Sequence, residues 1–271
     1  MQQSQLPYAP SHRAMPWDGF STADIAFHDF ALRFKVSSTL KLEGGTHNPM
    51  APPIDFLQHA FLPLLARMGA RVEMDFTRHG FYPAGGGAWS VTIHPLERFS
   101  RLDLMDRGEI RSRRASALVA QISGSVAVRE LDALAKQLDW DREVCRPLMI
   151  QNAQGPGNAL IATVDSEHVT EVFTAFGERG VRAEKVAQNV ADEISRYLKS
   201  GVPVGEHLAD QLLLPLALGE GGSFRTLKPT EHCRTQVRLI QMFLGTPVTM
   251  REESADVWRI DVQRKGSLEK P

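Results

Sequence analysis

Two cysteines in 271 residues, Cys145 and Cys233, are too few and too widely spaced for a disulfide framework or a CxxC pair. The expectation is a reduced, cytosolic chain. No apolar run is long enough to cross a membrane, and the opening MQQSQLPYAPSHRAMPWDG has no apolar signal core; neither membrane insertion nor secretion is expected. Charge is balanced, 31 Lys and Arg against 32 Asp and Glu. A polyanionic partner must therefore be held by a local basic patch, not by a global field. Several signatures are also missing: GxxxxGK[ST], a GxGxxG turn between strand and helix, HExxH, and GxSxG. That removes the common phosphate-loop, zinc-protease and serine-hydrolase readings.

What remains is a chain with 42% hydrophobic residues, enough for a core of one or two domains. The first residues, rich in Pro, Ser and Gln, read as a poorly ordered tail. Residues 25–36 alternate like a strand, and strand character continues to Leu42. Residues 44–53 are dense in turn formers. A helix is expected over 54–68, with Ile54, Leu57, Phe61, Leu64, Leu65 and Met68 at helical spacing and Gly69 at its end. Val72, Met74 and Phe76 then alternate with charged residues, and Trp89, Val91 and Ile93 repeat the pattern after a glycine-rich turn. Between residues 102 and 200 the texture changes. Strands over 115–123 and 159–165 and helices over 128–138 and 182–199 suggest an inserted module. Afterwards the first pattern resumes: helix 206–218, turn 219–224, helix 231–244 ending at Gly245, and strands over 247–251 and 256–262. Helix, strand, turn and strand at both ends hint at a repeated α+β unit with helices on one face of a sheet.

Four stretches carry candidate chemistry. Gly44-Gly45-Thr46-His47-Asn48-Pro49 can cradle an anion with backbone amides, or it is a simple turn. Arg78-His79-Gly80-Phe81-Tyr82-Pro83-Ala84-Gly85-Gly86-Gly87 offers charge and close backbone approach to a phosphate, or it is a hairpin loop. His207, Asp210 and Gln211 lie three and four residues apart on one helix face, which suits a nucleotide or an ordinary solvated surface; the adjoining Leu212, Leu213, Leu214 and Leu216 read as core. In Thr230-Glu231-His232-Cys233-Arg234, Thr230 is a plausible N-cap, placing His232 in the first helical turn. The helix dipole there disfavours a charged imidazole, and a neutral one can act as a nucleophile. The same helix end attracts phosphate, with Arg234 and Arg238 nearby; a surface histidine is the plain alternative.

In order, GGTHNPMAPPIDFL, RHGFYPAGGG, QGPGNALIATVDSEHVTEVFTAFGERGVRAE, EHLADQLLLPLALG and EHCRTQVRLIQMFLG resemble the successive signatures of the RNA 3'-terminal phosphate cyclases, over residues 40–262. The resemblance implies an α+β fold: repeated helix-on-sheet units forming a larger domain, over 40–100 and 201–265, and a smaller inserted α/β domain over 101–200, preceded by an atypical segment 1–39. It implies a cytoplasmic ligase acting on RNA with a 3'-phosphate end. ATP is the co-substrate, with a divalent metal, Mg²⁺ or Mn²⁺, for which no protein ligand is assigned. A histidine takes AMP from ATP and passes it to the RNA 3'-phosphate, and the 2'-hydroxyl closes a 2',3'-cyclic phosphate. His232 matches the adenylylated histidine. His207, Leu208, Ala209, Asp210 and Gln211, with Asn48 and Pro49, match the ATP-binding positions. Arg78, His79, Arg234 and Arg238 are candidate phosphate or RNA contacts. The family usually has a tyrosine where this chain has His207. Its glycine-rich opening, with arginines and glutamines, has no counterpart in residues 1–39, so slow turnover or a non-catalytic RNA-binding role is the alternative expectation.

Overall fold

A computed structural model describes residues 36–49 and 51–264. The tail and strand-like readings before residue 36 lie outside the described residues. The chain is α+β. Strand β1 (Ser38–Gly44) presents Leu40 and Leu42 on one face. Helix α1 follows over residues 54–67, with β2 (Val72–Arg78) and β3 (Gly87–Ile93) after it. The hairpin β2–β3 takes β1 on its other side, giving the order β1-β3-β2, antiparallel throughout. Leu40 and Met74 both oppose Val91, and Leu42 and Phe76 both oppose Trp89, so the alternating apolar residues gather on one face.

The α1 helix differs from the simple helix its spacing predicts. Its middle turn, Leu57–Phe61, is π-helical. Pro63 follows at once and has no N–H for the residue-59 carbonyl, so the widened turn precedes the break in the hydrogen-bond ladder. Ile54, Phe56, Leu57, Phe61, Leu64 and Leu65 are nevertheless all buried.

Two short segments and an α/β layer come next. Strand β4 (Leu102–Leu104) precedes β5 (Ile110–Ala120), helix α2 (Ser125–Leu138), β6 (Cys145–Met149), β7 (Gly157–Ser166), β8 (Thr170–Phe176) and helix α3 (Ala183–Ser200). The sheet order is β6-β5-β7-β8. Helices α2 and α3 cover one face, burying Leu131, Leu134, Val190, Ile194 and Tyr197 against Ala117, Leu160 and Phe173. The opposite face, with Leu118, Ala159, Ile161 and Val172, joins the larger core built by α1 and the C-terminal elements.

Helix α4 (Glu206–Leu218), strand β9 (Gly222–Thr226), helix α5 (Glu231–Leu244) and the hairpin β10 (Val248–Ser254) and β11 (Val257–Val262) complete the chain. Here β9 pairs with β11, and β11 with β10. The unit β9-α5-β10-β11 thus repeats the connectivity of β1-α1-β2-β3, each with the last strand of its hairpin in the middle. The repeat, too weak to read as identity, is plain as topology. The copies differ at one edge: β4 lies parallel to β9, whereas among the described residues no strand pairs with the outer edge of β1.

Candidate functional site

Helices α4 and α5 pack together and bring one set of sequence candidates into a single place. Helix α5 starts as its sequence requires. The Thr230 hydroxyl accepts the Cys233 N–H at 3.1 Å, and Gly245 closes the far end in the left-handed conformation, φ 66°. His232 is exposed in the first turn. Helix α4 starts after Gly205, which has no side chain to cap with. His207 is exposed, and Asp210 and Gln211 are half-buried one turn further on. Leu208, Ala209, Leu212, Leu213 and Leu216 point into the core; Leu214 is only half-buried.

Asp210 is where the two helices meet electrostatically. Burial pushes its carboxyl above the ordinary range, opposed by His207, by a 3.3 Å hydrogen bond from the Gln211 amide, and by His232. His207 and His232, 25 residues apart in sequence, thus both act electrostatically on one carboxylate. Cys233 borders the same group but is poorly placed to act as a nucleophile. Its thiol is fully buried and pushed up to about 12, by burial first and by Asp210 second, so it stays protonated and shielded from solvent. Arg234 lies 5.4 Å over the Trp258 ring and 3.7 Å from Glu231; Arg238 is exposed.

An acid held above its usual pKa destabilises the fold once it ionises. Its contribution is complete at low pH and is lost as pH rises through the folded-state value. Asp210→Asn removes that cost. We expect its melting temperature at neutral pH, measured by scanning calorimetry, to equal or exceed that of the wild type. A variant that melts well below the wild type would make Asp210 a structural residue.

The remaining candidates form a second constellation, around His47. This ring is fully buried and committed at both nitrogens, Nε2 to Asp55 at 2.9 Å and Nδ1 to the Thr46 hydroxyl at 2.9 Å. Burial pushes the Asp55 carboxyl up, but the His47 hydrogen bond and the neighbouring His59 and His79 outweigh it and hold it low. An ionised Asp55 accepts, so His47 Nε2 donates. The Thr46 oxygen in turn accepts the Gly80 N–H at 2.9 Å, and the Gly80 carbonyl accepts from the Thr46 and His47 amides. His47 thereby ties the turn at 44–53 to the loop at 79–87. Sequence reading included this histidine only as part of an anion cradle; the His47–Asp55 spacing of eight residues gives no periodic cue.

His79 packs among His47, Phe76 and Phe81, with ring centroids 5.2, 4.7 and 6.2 Å away. Its pKa falls to about 4, from burial and then from His47; at neutral pH it brings no positive charge to a phosphate. Arg78 donates from Nε to the Gly86 carbonyl at 2.5 Å. Gly80, Gly86 and Gly87 of the loop are also required by internal packing. A Cβ on Gly86 would overlap the Gln154 side chain, and one on Gly87 would meet Thr46 Cγ2 at 2.6 Å. Asn48 is half-buried and Pro49 exposed, on the turn before α1.

Among the described residues no group of three or more His, Cys, Asp or Glu side chains is placed to hold a metal ion. Among those residues, too, no helix is long and apolar enough to cross a membrane.

With this geometry in place, comparison with known proteins is decisive about kinship. The family model for RNA 3'-terminal phosphate cyclase matches residues 27–250. Proteins named RNA 3'-terminal phosphate cyclase are similar to this chain at 43% identity in Ectopseudomonas mendocina, over 84% of the chain and 66% of that relative. In Pseudomonas fluorescens the identity is 46%, over 84% and 67%, and in Ralstonia nicotianae 47%, over 83% and 65%. The chain belongs to the RNA 3'-terminal phosphate cyclase family, and it spans about two thirds of the length of these relatives.

Proposed function

We propose that this chain converts an RNA 3'-terminal phosphate into a 2',3'-cyclic phosphate at the expense of ATP, with His232 as the covalent nucleophile. The observation that carries the reading is the meeting of α4 and α5, where His232 stands exposed beside Asp210 and His207 while the adjacent thiol is buried. A ring nitrogen of His232 attacks the α-phosphorus of ATP, forming an N–P bond as pyrophosphate leaves. An oxygen of the RNA 3'-phosphate then attacks that phosphorus, which breaks the N–P bond and leaves AMP joined to the RNA end through a P–O–P linkage. Finally the 2'-hydroxyl attacks the 3'-phosphorus. AMP departs, the ring closes, and the hydroxyl proton passes to solvent.

The segment from His207 to Gln211 is the seat of the nucleotide. The exposed His207 imidazole stacks on adenine and the Asp210 carboxylate accepts from ribose hydroxyls or the base. Asn48 and Pro49 are the further candidates. Arg234 and Arg238, on the same helix as His232, supply positive charge for the phosphates. ATP enters as a substrate; a divalent metal would arrive with its phosphates.

The test is an end-group assay on a short RNA bearing a 3'-phosphate. We expect ATP-dependent conversion to an end that phosphatase no longer removes and mild acid reopens. A chain that binds the RNA but neither consumes ATP nor alters its end is a non-catalytic RNA-binding member of the family, and that outcome would overturn the proposal.

A further inference from the structure

The start of α4 is fastened from outside its own helix. Glu171, in β8, is 2% exposed, and its Oε1 accepts the Gly205 N–H at 2.5 Å. Gly205 is the residue from which α4 springs, two positions before His207. The connection from α3 is held at further points. The Tyr197 hydroxyl donates to the Pro203 carbonyl at 3.0 Å. Arg107 donates to the Tyr197 and Leu198 carbonyls at 3.0 and 2.8 Å, with its guanidinium 4.8 Å over the Tyr197 ring. The Val204 N–H reaches the Arg225 carbonyl at 3.2 Å. Of these contacts only the one from Glu171 grips Gly205, the residue just before α4, and it comes from the β6-β5-β7-β8 layer.

We propose that Glu171 is a positioning residue for the nucleotide-binding segment 207–211, holding the first turn of α4 in register from the neighbouring sheet. The inference rests on the reading of 207–211 as the nucleotide seat. A helix start without a side-chain cap leaves amides to be satisfied by other means, and a buried carboxyl oxygen aimed at Gly205 does so here. If the bond is removed, the Gly205 N–H is buried without an acceptor, the first turn frays, and His207 and Asp210 lose their fixed places.

The acid has its own pH signature. Burial raises the Glu171 carboxyl to about 8, against opposing hydrogen bonds from the Gly205 and Val172 amides. The charged and titratable groups facing it are Tyr197, with Arg107 beyond, Glu193 and Arg196 on α3, and Glu206 and His207 on α4. Arg196 sits 3.4 Å from Glu206, and among the described residues Glu171 has no ion pair. The sign follows from the raised value. The stability contributed by neutral Glu171 is complete below the ordinary carboxylate range and is lost as pH rises through about 8. Glutamine keeps the accepting oxygen and cannot ionise.

The experiment compares Glu171→Gln and Glu171→Leu in the full chain, by amide hydrogen exchange over residues 205–211 and by ATP affinity, at about pH 6 and about pH 9. We expect Glu171→Leu to speed local exchange about tenfold and to weaken ATP binding to a similar degree. Glu171→Gln exceeds the wild type at both pH values, and by more at the higher pH. Should the leucine variant fail to fold, Glu171→Ala removes the acceptor without adding bulk beside Gly205 and must give the same local exchange. A glutamine variant as impaired as the leucine one, or unchanged exchange over 205–211 in the leucine and alanine variants, overturns the proposal. If the wild type binds no ATP, faster exchange confined to 205–211 keeps Glu171 as the anchor of α4 and removes the nucleotide reading instead.

Discussion

His232→Ala is expected to take up no AMP when the wild type, given ATP, carries one covalent AMP per chain. The loss should be at least about 10⁴-fold, because removing a nucleophile is not compensated by its neighbours. Those neighbours are poor substitutes for reasons the structure makes specific. Cys233 is buried and protonated. The His47 nitrogens are both engaged, and His79 is wedged between aromatic rings. His207 acts on the Asp210 carboxylate as His232 does, so it is the informative control: His207→Ala should weaken labelling by weakening ATP binding, yet leave the label on His232. Because His232 is exposed on a helix already capped by Thr230, its replacement should move stability by no more than about 0.5 kcal/mol. Intact-mass measurement gives the label and scanning calorimetry the stability. A His232→Ala chain that labels as well as the wild type would remove His232 from the chemistry.

Gly157→Ala should be strongly damaging to the scaffold. Gly157 opens β7 opposite Ala120, and a Cβ there would overlap the Phe81 ring. Phe81 is 2% exposed and has little room to retreat. Its backbone bridges to His47 and Gly85, and its ring lies 5.4 Å from the His47 ring. Overpacking of this kind costs about 3 kcal/mol, which for a chain of this size lowers the melting temperature by about 6–12 °C. Phe81→Leu in the same chain should recover part of the loss, since a smaller side chain readmits the Cβ; the non-additivity of the pair measures the contact. An unchanged melting temperature for Gly157→Ala would mean that the glycine-rich loop does not press on β7 as described.

The elements legible in the sequence were those whose ends carry their own chemistry. Thr230 and Gly245 bound α5, and Glu206–Leu218 fell between two glycines, so both helices appear where spacing places them. The strands not foreseen have physical excuses. The edge strand β6 contains Pro147 and exposes four of its five residues, so neither composition nor alternation marks it. In β8 a glutamate, Glu171, occupies a fully buried position and spoils the apolar pattern. The start of β5 is a run of exposed arginines, Arg111, Arg113 and Arg114, which hid its first residues. The candidate site divides the same way. Its residues were visible as motifs, but the electrostatic pull of both His207 and His232 on Asp210 depends on how α4 packs against α5. The commitment of His47 to Asp55 depends on the fold of one turn onto another.

The most direct test of the central claim is to locate AMP on the wild-type chain. After incubation with ATP, the protein is digested at alkaline pH, where a phosphoramidate survives, and the modified peptide is sequenced by mass spectrometry. The account predicts a single acid-labile AMP on His232 that is discharged when RNA with a 3'-phosphate is added. No adduct, or an adduct on a lysine or another histidine, would contradict it.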